Sequence, residues 1–72
     1  MIEIDNAVNG IILRDDEGRC WTFEYPQECE EGSVEYHEAN ARFLRQLMDV
    51  IGVFNSKHDE ARINIDVERQ KQ

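Results

Sequence analysis

One stretch of this sequence, residues 34–51, can form a long amphipathic helix. Its large apolar residues, continued just past its end, recur every three or four positions and so fall along one side of a helix. They are Tyr36, Phe43, Leu44, Leu47, Ile51 and Phe54. Ser33 can accept an unpaired amide of the first turn, and Gly52 can adopt the left-handed conformation that ends a helix. The sequence therefore predicts a helix over 34–51 whose apolar stripe needs a covering surface.

A β-hairpin is predicted over residues 11–25. Large apolar residues recur at every second position, at Ile11 and Leu13 and again at Trp21, Phe23 and Tyr25, the pattern of strands with one buried face and one wet face. The sequence between the two strands is acidic and ends in Gly18, which suits a bulged hairpin loop. Pairing outward from this loop sets Leu13 opposite Trp21 and Ile11 opposite Phe23. These side chains are predicted to pack against the helix rather than to stack on RNA bases, since no basic residue follows Arg19 before Arg42.

The rest of the chain completes a single small domain over residues 1–72. Residues 61–68 alternate Ile63, Ile65 and Val67 with polar residues and predict a last strand. Residues 1–8 suit a short edge strand, and residues 69–72 a frayed tail. The predicted fold class is α+β in the order β-β-α-β, with a three-stranded, mainly antiparallel sheet packed on one face by one helix. The last strand has two open placements, antiparallel to Ile11–Asp15 or parallel to Arg19–Tyr25.

Composition restricts the classes of function. The chain has 72 residues, 40% hydrophobic content and a net charge of −8, enough apolar material for one core but too acidic to favour nucleic acid or anionic lipid. No apolar run approaches the roughly 20 residues that span a bilayer. The first residues lack the basic start and apolar core of a signal peptide, so a cytoplasmic location is expected. Cys20 and Cys29 are accordingly predicted to be free thiols.

The C-terminal third resembles small phage-encoded accessory proteins of unknown function. The residues that carry this resemblance are Gly52, the run 56–59 (Ser-Lys-His-Asp) and residues 62–68, which lead to a short polar tail. In those proteins too, a compact amphipathic helix precedes this region. The resemblance implies expression in the cytoplasm of a bacterial host and brings no functional residues with it.

No pattern in the sequence predicts an enzyme, a metal site or a cofactor. His37 and Glu38 resemble part of the zinc-protease helix motif, but Ala41 occupies the position of its second histidine. Cys29, His37 and His58 lack metal-ligand spacing. The acidic hairpin loop lacks the alternating ligands of a calcium loop, and Cys20 has no predicted base beside it. We therefore expect a non-enzymatic protein that acts through contact with other proteins.

The uneven distribution of charge suggests where that contact occurs. Between Cys20 and Ala41 the chain carries six acidic residues and no Lys or Arg. They are Glu24, Glu28, Glu30, Glu31, Glu35 and Glu38. The helix dipole favours carboxylates near a helix N-terminus, which explains Glu35 and Glu31 but not the others. The functional hypothesis is an acidic hairpin–loop–helix edge that binds a basic or nucleic-acid-binding host protein; a merely solubilising surface is the other interpretation.

A second hypothesis concerns the sheet face that one helix leaves uncovered. Ile12, Cys20 and Thr22 are predicted to lie together on that face among charged residues. Nothing else in the chain is left to cover them. The alternative function is thus a structural homodimer that buries this face.

Overall fold

A computed structural model of the chain describes residues 1–53 and 56–70. It contains three strands and one helix: β1 (Glu3–Ala7), β2 (Gly10–Arg14), β3 (Cys20–Glu24) and α1 (Val34–Val50). The strands form one antiparallel sheet in the order β1-β2-β3. The predicted α+β class, with a three-stranded antiparallel sheet and a single helix, is confirmed, but the order of the elements is β-β-β-α.

The β2–β3 hairpin has the predicted register. Leu13 pairs with Trp21 and Ile11 pairs with Phe23. At the loop the amide of Asp15 donates to the carbonyl of Arg19 at 3.0 Å, and Gly18 has a φ of 85°. A left-handed glycine before the second strand is typical of a bulged three-residue hairpin loop. This hairpin places Leu13, the largest fully buried side chain, at the centre of the core.

The N-terminal strand is the third member of the sheet. β1 pairs with β2 through a two-residue turn, since Ala7 lies opposite Gly10. Gly10 is buried, and a Cβ at this position would lie 2.3 Å from the carbonyl oxygen of Phe23. Only glycine therefore allows β2 to approach β3 so closely here.

The strand predicted over residues 61–68 does not form. This segment is irregular throughout in the structure, as are residues 69 and 70. β2 has only two edges, and β1 and β3 occupy both. β1 reaches its edge by closing a two-residue turn, whereas the C-terminal segment would have to close a far longer loop at a higher entropy cost. The placement beside β2 is therefore excluded, and the parallel placement beside β3 is not realised either, because the segment is bonded to α1 through Ile65.

The helix packs over β3 and β2 through aromatic contacts. Phe43 meets Phe23 edge-on with ring centroids 5.8 Å apart, and Tyr36 stacks on Tyr25 at 4.8 Å. The predicted caps are confirmed, because the Ser33 hydroxyl accepts the Tyr36 amide and the helix ends before Gly52. The predicted stripe is only partly covered: Leu47 is half-buried, while Leu44 and Ile51 are 42% and 53% exposed. Phe54 lies outside the described residues.

The C-terminal segment runs along the outer side of the helix. Arg45 donates from Nε and Nη2 to the carbonyl oxygen of Ile65, at 3.0 and 2.7 Å. Because Arg45 follows Tyr36 by nine residues, it leaves the helix on the side opposite the sheet. Ala41 lies near that side and is only 4% exposed. Arg69 and Gln70 are exposed, as expected for a tail, and residues 71 and 72 lie outside the described part of the chain.

Candidate binding surface

The loop between β3 and α1 consists of two successive turns. The amide of Cys29 donates to the carbonyl of Pro26 at 3.1 Å, and the amide of Ser33 donates to the carbonyl of Glu30 at 3.1 Å. Each turn has a left-handed residue at its third position: Glu28 has a φ of 63° in the first and Gly32 a φ of 91° in the second. Turns of this kind favour glycine at that position.

Glu28 therefore occupies a position better suited to glycine. It is the one non-glycine residue with positive φ in the part of the chain that the structure describes. A left-handed conformation costs an L-residue about 1–2 kcal/mol relative to the right-handed one. Gly32, in the corresponding position of the next turn, has no such cost. Strain of this kind tends to persist where a side chain is needed for another purpose.

Both ends of the loop are anchored to the helix. At its start, the Tyr25 hydroxyl donates to Asn40 Oδ1 at 2.7 Å while its ring stacks on Tyr36. Burial of the Tyr25 hydroxyl and repulsion from Tyr36 raise its pKa. At the other end, Cys29 Sγ lies 3.1 Å from the hydroxyl of Ser33, the residue that caps the helix. The glutamates between these anchors are thus held on a fixed backbone.

The structure brings most of the predicted acidic residues to one end of the molecule. All six glutamates are exposed. Glu24 and Glu28 line a shallow hollow beside the β1–β2 turn, and Glu28, Glu30 and Glu35 line a second one around Pro26. Glu31 follows Glu30 in the second turn. We call Glu24, Glu28, Glu30, Glu31 and Glu35 the acidic end.

Glu38 lies elsewhere. It lines a hollow on the outer side of the helix together with Arg42, Arg45 and Asp66. Arg42 and Arg45 line the same hollow, although neither forms an ion pair with Glu38 within the described residues. The structure separates this glutamate from the acidic end that sequence reasoning assigned it to.

The acidic end is not neutralised from within the described chain. Among residues 1–53 and 56–70, no ion pair joins any of its five carboxylates to a basic group. Other acidic residues do have partners: Asp5 pairs with Arg14, and Asp15 pairs with Arg19 at 2.6 Å. Exposed like charges that lack counter-charges repel one another and produce a negative potential around the surface.

The second candidate surface is the outer face of the sheet. Ile12 and Thr22 form a cross-strand pair on this face, and Cys20 lies one pair further along. Ile12 is half-buried, whereas Cys20 and Thr22 are exposed. The neighbouring positions are charged, with Arg14 bonded to Asp5. The outer face is thus brought together as predicted, but its apolar area is small.

The thiols and histidines form no chemical centre in the described structure. Cys20 and Cys29 are both free, as predicted. Within residues 1–53 and 56–70, no three Cys, His, Asp or Glu side chains are grouped so as to hold a metal ion. In the same ranges, no helix is both long and apolar enough to span a bilayer.

A scan against protein-family models, a search of curated proteins and a search of solved structures each found no match to this chain.

Sequence reasoning missed the strained Glu28, although a signal for the turn was present. Pro26 followed by two polar residues and Cys29 is a plausible turn, but a turn of this type is usually identified by glycine at its third position. Here glutamate occupies that position. The backbone strain could therefore be found only from the structure.

Proposed function

We propose that this chain is a small, non-enzymatic accessory protein that binds a basic protein partner through its acidic end. The resemblance of the C-terminal third to phage-encoded accessory proteins supports a role inside a bacterial host. A host protein that binds nucleic acid is a suitable partner, because its basic surface is complementary to clustered carboxylates. Glu38 is left out of the proposed site because it lines a different hollow, on the outer side of the helix, together with Arg42 and Arg45.

The observation that carries this proposal is the absence of internal counter-charges on an anchored loop. Glu28, Glu30 and Glu35 are exposed around one hollow and pair with no basic group in the described chain. The stacked Tyr25 and the helix cap at Ser33 hold the backbone that carries them. A preorganised surface loses less conformational entropy on binding than a flexible one.

The charge arrangement also suggests how binding proceeds. Exposed carboxylates act over about one Debye length, roughly 8 Å at physiological ionic strength. They attract a basic partner before contact and so increase the association rate more than they slow dissociation. The strain at Glu28 fits this role, since the residue keeps a carboxylate where glycine would be more stable.

A titration monitored by NMR tests where a basic ligand binds. A lysine-rich peptide is added to isotopically labelled protein, and backbone shifts are followed at increasing salt. The proposal expects the largest shifts in residues 24–35, decreasing as salt increases. Equal shifts at the exposed acidic residues of the C-terminal segment would show attraction by net charge alone and would contradict the proposal.

Homodimerisation through the outer sheet face is the lesser candidate. Ile12 is the large apolar side chain there, and the ion pair of Arg14 with Asp5 lies beside it. In a dimer, the charged groups of the two copies would come together, and each copy has a net charge of −8. If this face forms a dimer, Ile12→Lys lowers the mass measured by light scattering; a monomeric parent protein rules the dimer out.

A further inference from the structure

Within residues 1–53 and 56–70, no strand pairs with the outer edge of β1, so this edge presents unpaired main-chain groups. In an antiparallel pair, bonded and non-bonded residue pairs alternate. Asn9 and Tyr25 are bonded to each other at one end of the β2–β3 ladder, and Asp15 and Arg19 at the other. In between, Ile11 and Leu13 therefore bond to β3, while Gly10, Ile12 and Arg14 bond to β1.

The same alternation identifies the free groups of β1. Glu3, Asp5 and Ala7 lie opposite the three residues of β2 that bond to β1. The N–H and C=O groups of Ile4 and Asn6 therefore point outward, away from the sheet. An edge of this kind can accept another strand.

An uncovered apolar surface lies beside this edge. Ile4 pairs with Leu13, so both side chains lie on the inner face of the sheet, the face on which the helix packs. Ile4 is nevertheless 52% exposed, whereas Leu13 is fully buried. The reason is that the helix lies over β2 and β3 and does not reach β1. The inner face of the sheet is therefore left open above β1.

Two exposed helix residues face the same opening. Tyr36 and Phe43 point at β3, and the helix runs parallel to β2, since Tyr36 contacts Tyr25 and Phe43 contacts the earlier Phe23. In a right-handed helix, Leu44 and Ile51 are then turned about a quarter turn toward the β1 side. Leu44 is 42% exposed and Ile51 is 53% exposed, and their exposed surfaces are thus adjacent to that of Ile4.

The charges around the edge of β1 determine which kind of strand can pair with it. On the outer face of β1, Glu3 and Asp5 both pair with Arg14, the one basic residue that contacts them in the described part of the chain. A second copy pairing antiparallel through β1 would set these carboxylates beside those of its own β1, and like charges on neighbouring strands are destabilising. A segment with Lys or Arg on its outer side would instead pair with them. Charge complementarity therefore favours a basic strand from another protein.

We infer that β1 accepts an extended segment of a partner protein as a fourth, antiparallel strand. Alternate apolar residues of this segment cover Ile4, Leu44 and Ile51, and the intervening Lys or Arg residues face Glu3 and Asp5. Main-chain bonds to Ile4 and Asn6 supply register, and the alternate side chains supply specificity. This inference takes from the proposed function only the basic character of the partner, and it concerns a different surface.

The probe is a synthetic peptide of about seven residues, the length of an ordinary strand, in which valines alternate with lysines. In antiparallel pairing, its valine amides bond to β1 and its lysine amides face solvent. N-methylation of the valine amides should abolish binding, whereas N-methylation of the lysine amides should leave it nearly unchanged. Both peptides have the same charge, so adsorption to the acidic protein cannot distinguish them.

Matched variants of the protein complete the test. Ile4→Lys should weaken peptide binding at least about tenfold, and Val8→Lys, at a fully exposed turn residue, should have a much smaller effect. Asn6→Pro removes an amide that bonds to no other strand, so it should abolish binding while the backbone NMR spectrum remains that of the folded protein.

The outcomes separate this inference from the proposed function. Replacement of Glu28, Glu30 and Glu31 by Gln leaves the β1 edge intact and should preserve the difference between the two N-methylated peptides. Equal binding of the two peptides would overturn the strand inference and leave the acidic end untested by it. A dimer of the protein alone that Ile4→Lys dissociates would also overturn it, because a second copy would then occupy the edge.

Discussion

The guanidinium of Arg45 joins the outer side of the helix to the carbonyl oxygen of Ile65 through two hydrogen bonds. A carboxylate oxygen of Asp66 lies 3.8 Å from the same guanidinium. Ile65 and Val67 are half-buried, while Ile63 is 57% exposed. This one arginine therefore provides the main polar attachment of a segment that forms no regular secondary structure.

Replacement of Arg45 should release the C-terminal segment without unfolding the domain. Arg45→Lys keeps the charge but loses the planar two-donor fork, so both bonds to Ile65 cannot be made together. We expect faster hydrogen exchange and proteolysis in residues 62–70, with only about 1 kcal/mol lost in the free energy of unfolding. Arg42→Lys is the control. Unchanged protection of the segment would show that side-chain packing alone holds it.

Truncation of Leu13 should be the most destabilising change in the sheet. Leu13 is fully buried, and Leu→Ala substitutions at such sites cost about 2–5 kcal/mol. In a domain of this size that is a large part of the total stability. Val8→Ala, at an exposed residue in the β1–β2 turn, should change little. Equal denaturation midpoints for the two variants would place the core elsewhere.

Substitutions in the two turns of the β3–α1 loop should change the free energy of unfolding in opposite directions. Glu28→Gly relieves a left-handed glutamate and should raise the free energy of unfolding by up to about 1 kcal/mol. Gly32→Ala introduces the same strain and should lower it by a similar amount. Urea denaturation of both variants provides the measurement. A loss of stability in Glu28→Gly would mean that Glu28 is not strained.

Asp15 should make stability depend on pH in the acid range. Burial alone would raise the pKa of its carboxyl. The pKa is lowered instead, because Arg19 donates hydrogen bonds to the carboxylate and attracts it, and the Glu17 amide donates a further bond. A carboxyl whose folded pKa is below its unfolded value of about 3.9 stabilises the fold above that pH. The stabilisation is lost as pH falls through the folded pKa.

Asp15→Asn should therefore lower the free energy of unfolding at pH 7. The difference from the parent protein should shrink as the pH falls below about 4, where the parent loses the same charge. Glu60→Gln, at an exposed residue, is the control and should match the parent throughout. A difference that stays constant from neutral to strongly acid pH would show that the carboxylate charge has no role.

Local signals in the sequence were sufficient for the helix and the hairpin. Ser33 and Gly52 cap the helix through contacts within a few residues, and Gly18 sets the hairpin loop in the same way. The carboxylates of the acidic end are also close in sequence, so all five could be assigned to one edge, together with Glu38, which the structure places elsewhere. Such features depend on residues that are only a few positions apart, so a short stretch of sequence is enough to predict them.

Features that depend on competition between distant segments could not be predicted. The alternation identifies Ile65 and Val67 as the half-buried side chains but also includes Ile63, which is exposed, and it does not reveal that β1 already occupies the edge of β2. Likewise, helical periodicity groups Leu44 with Phe43 but cannot show that the helix is too far from β1 to cover Leu44. Tertiary packing decides these outcomes.

The affinity of a lysine-rich peptide for two variants of equal charge tests the acidic end most directly. One variant has Gln at Glu28, Glu30 and Glu31, and the other has Gln at the exposed Glu17, Glu60 and Glu68. We predict that the first variant binds about tenfold more weakly at low salt, chiefly through slower association, while the second binds almost as the parent protein does. An equal loss of affinity in both variants would contradict it, because net charge alone would then explain the binding.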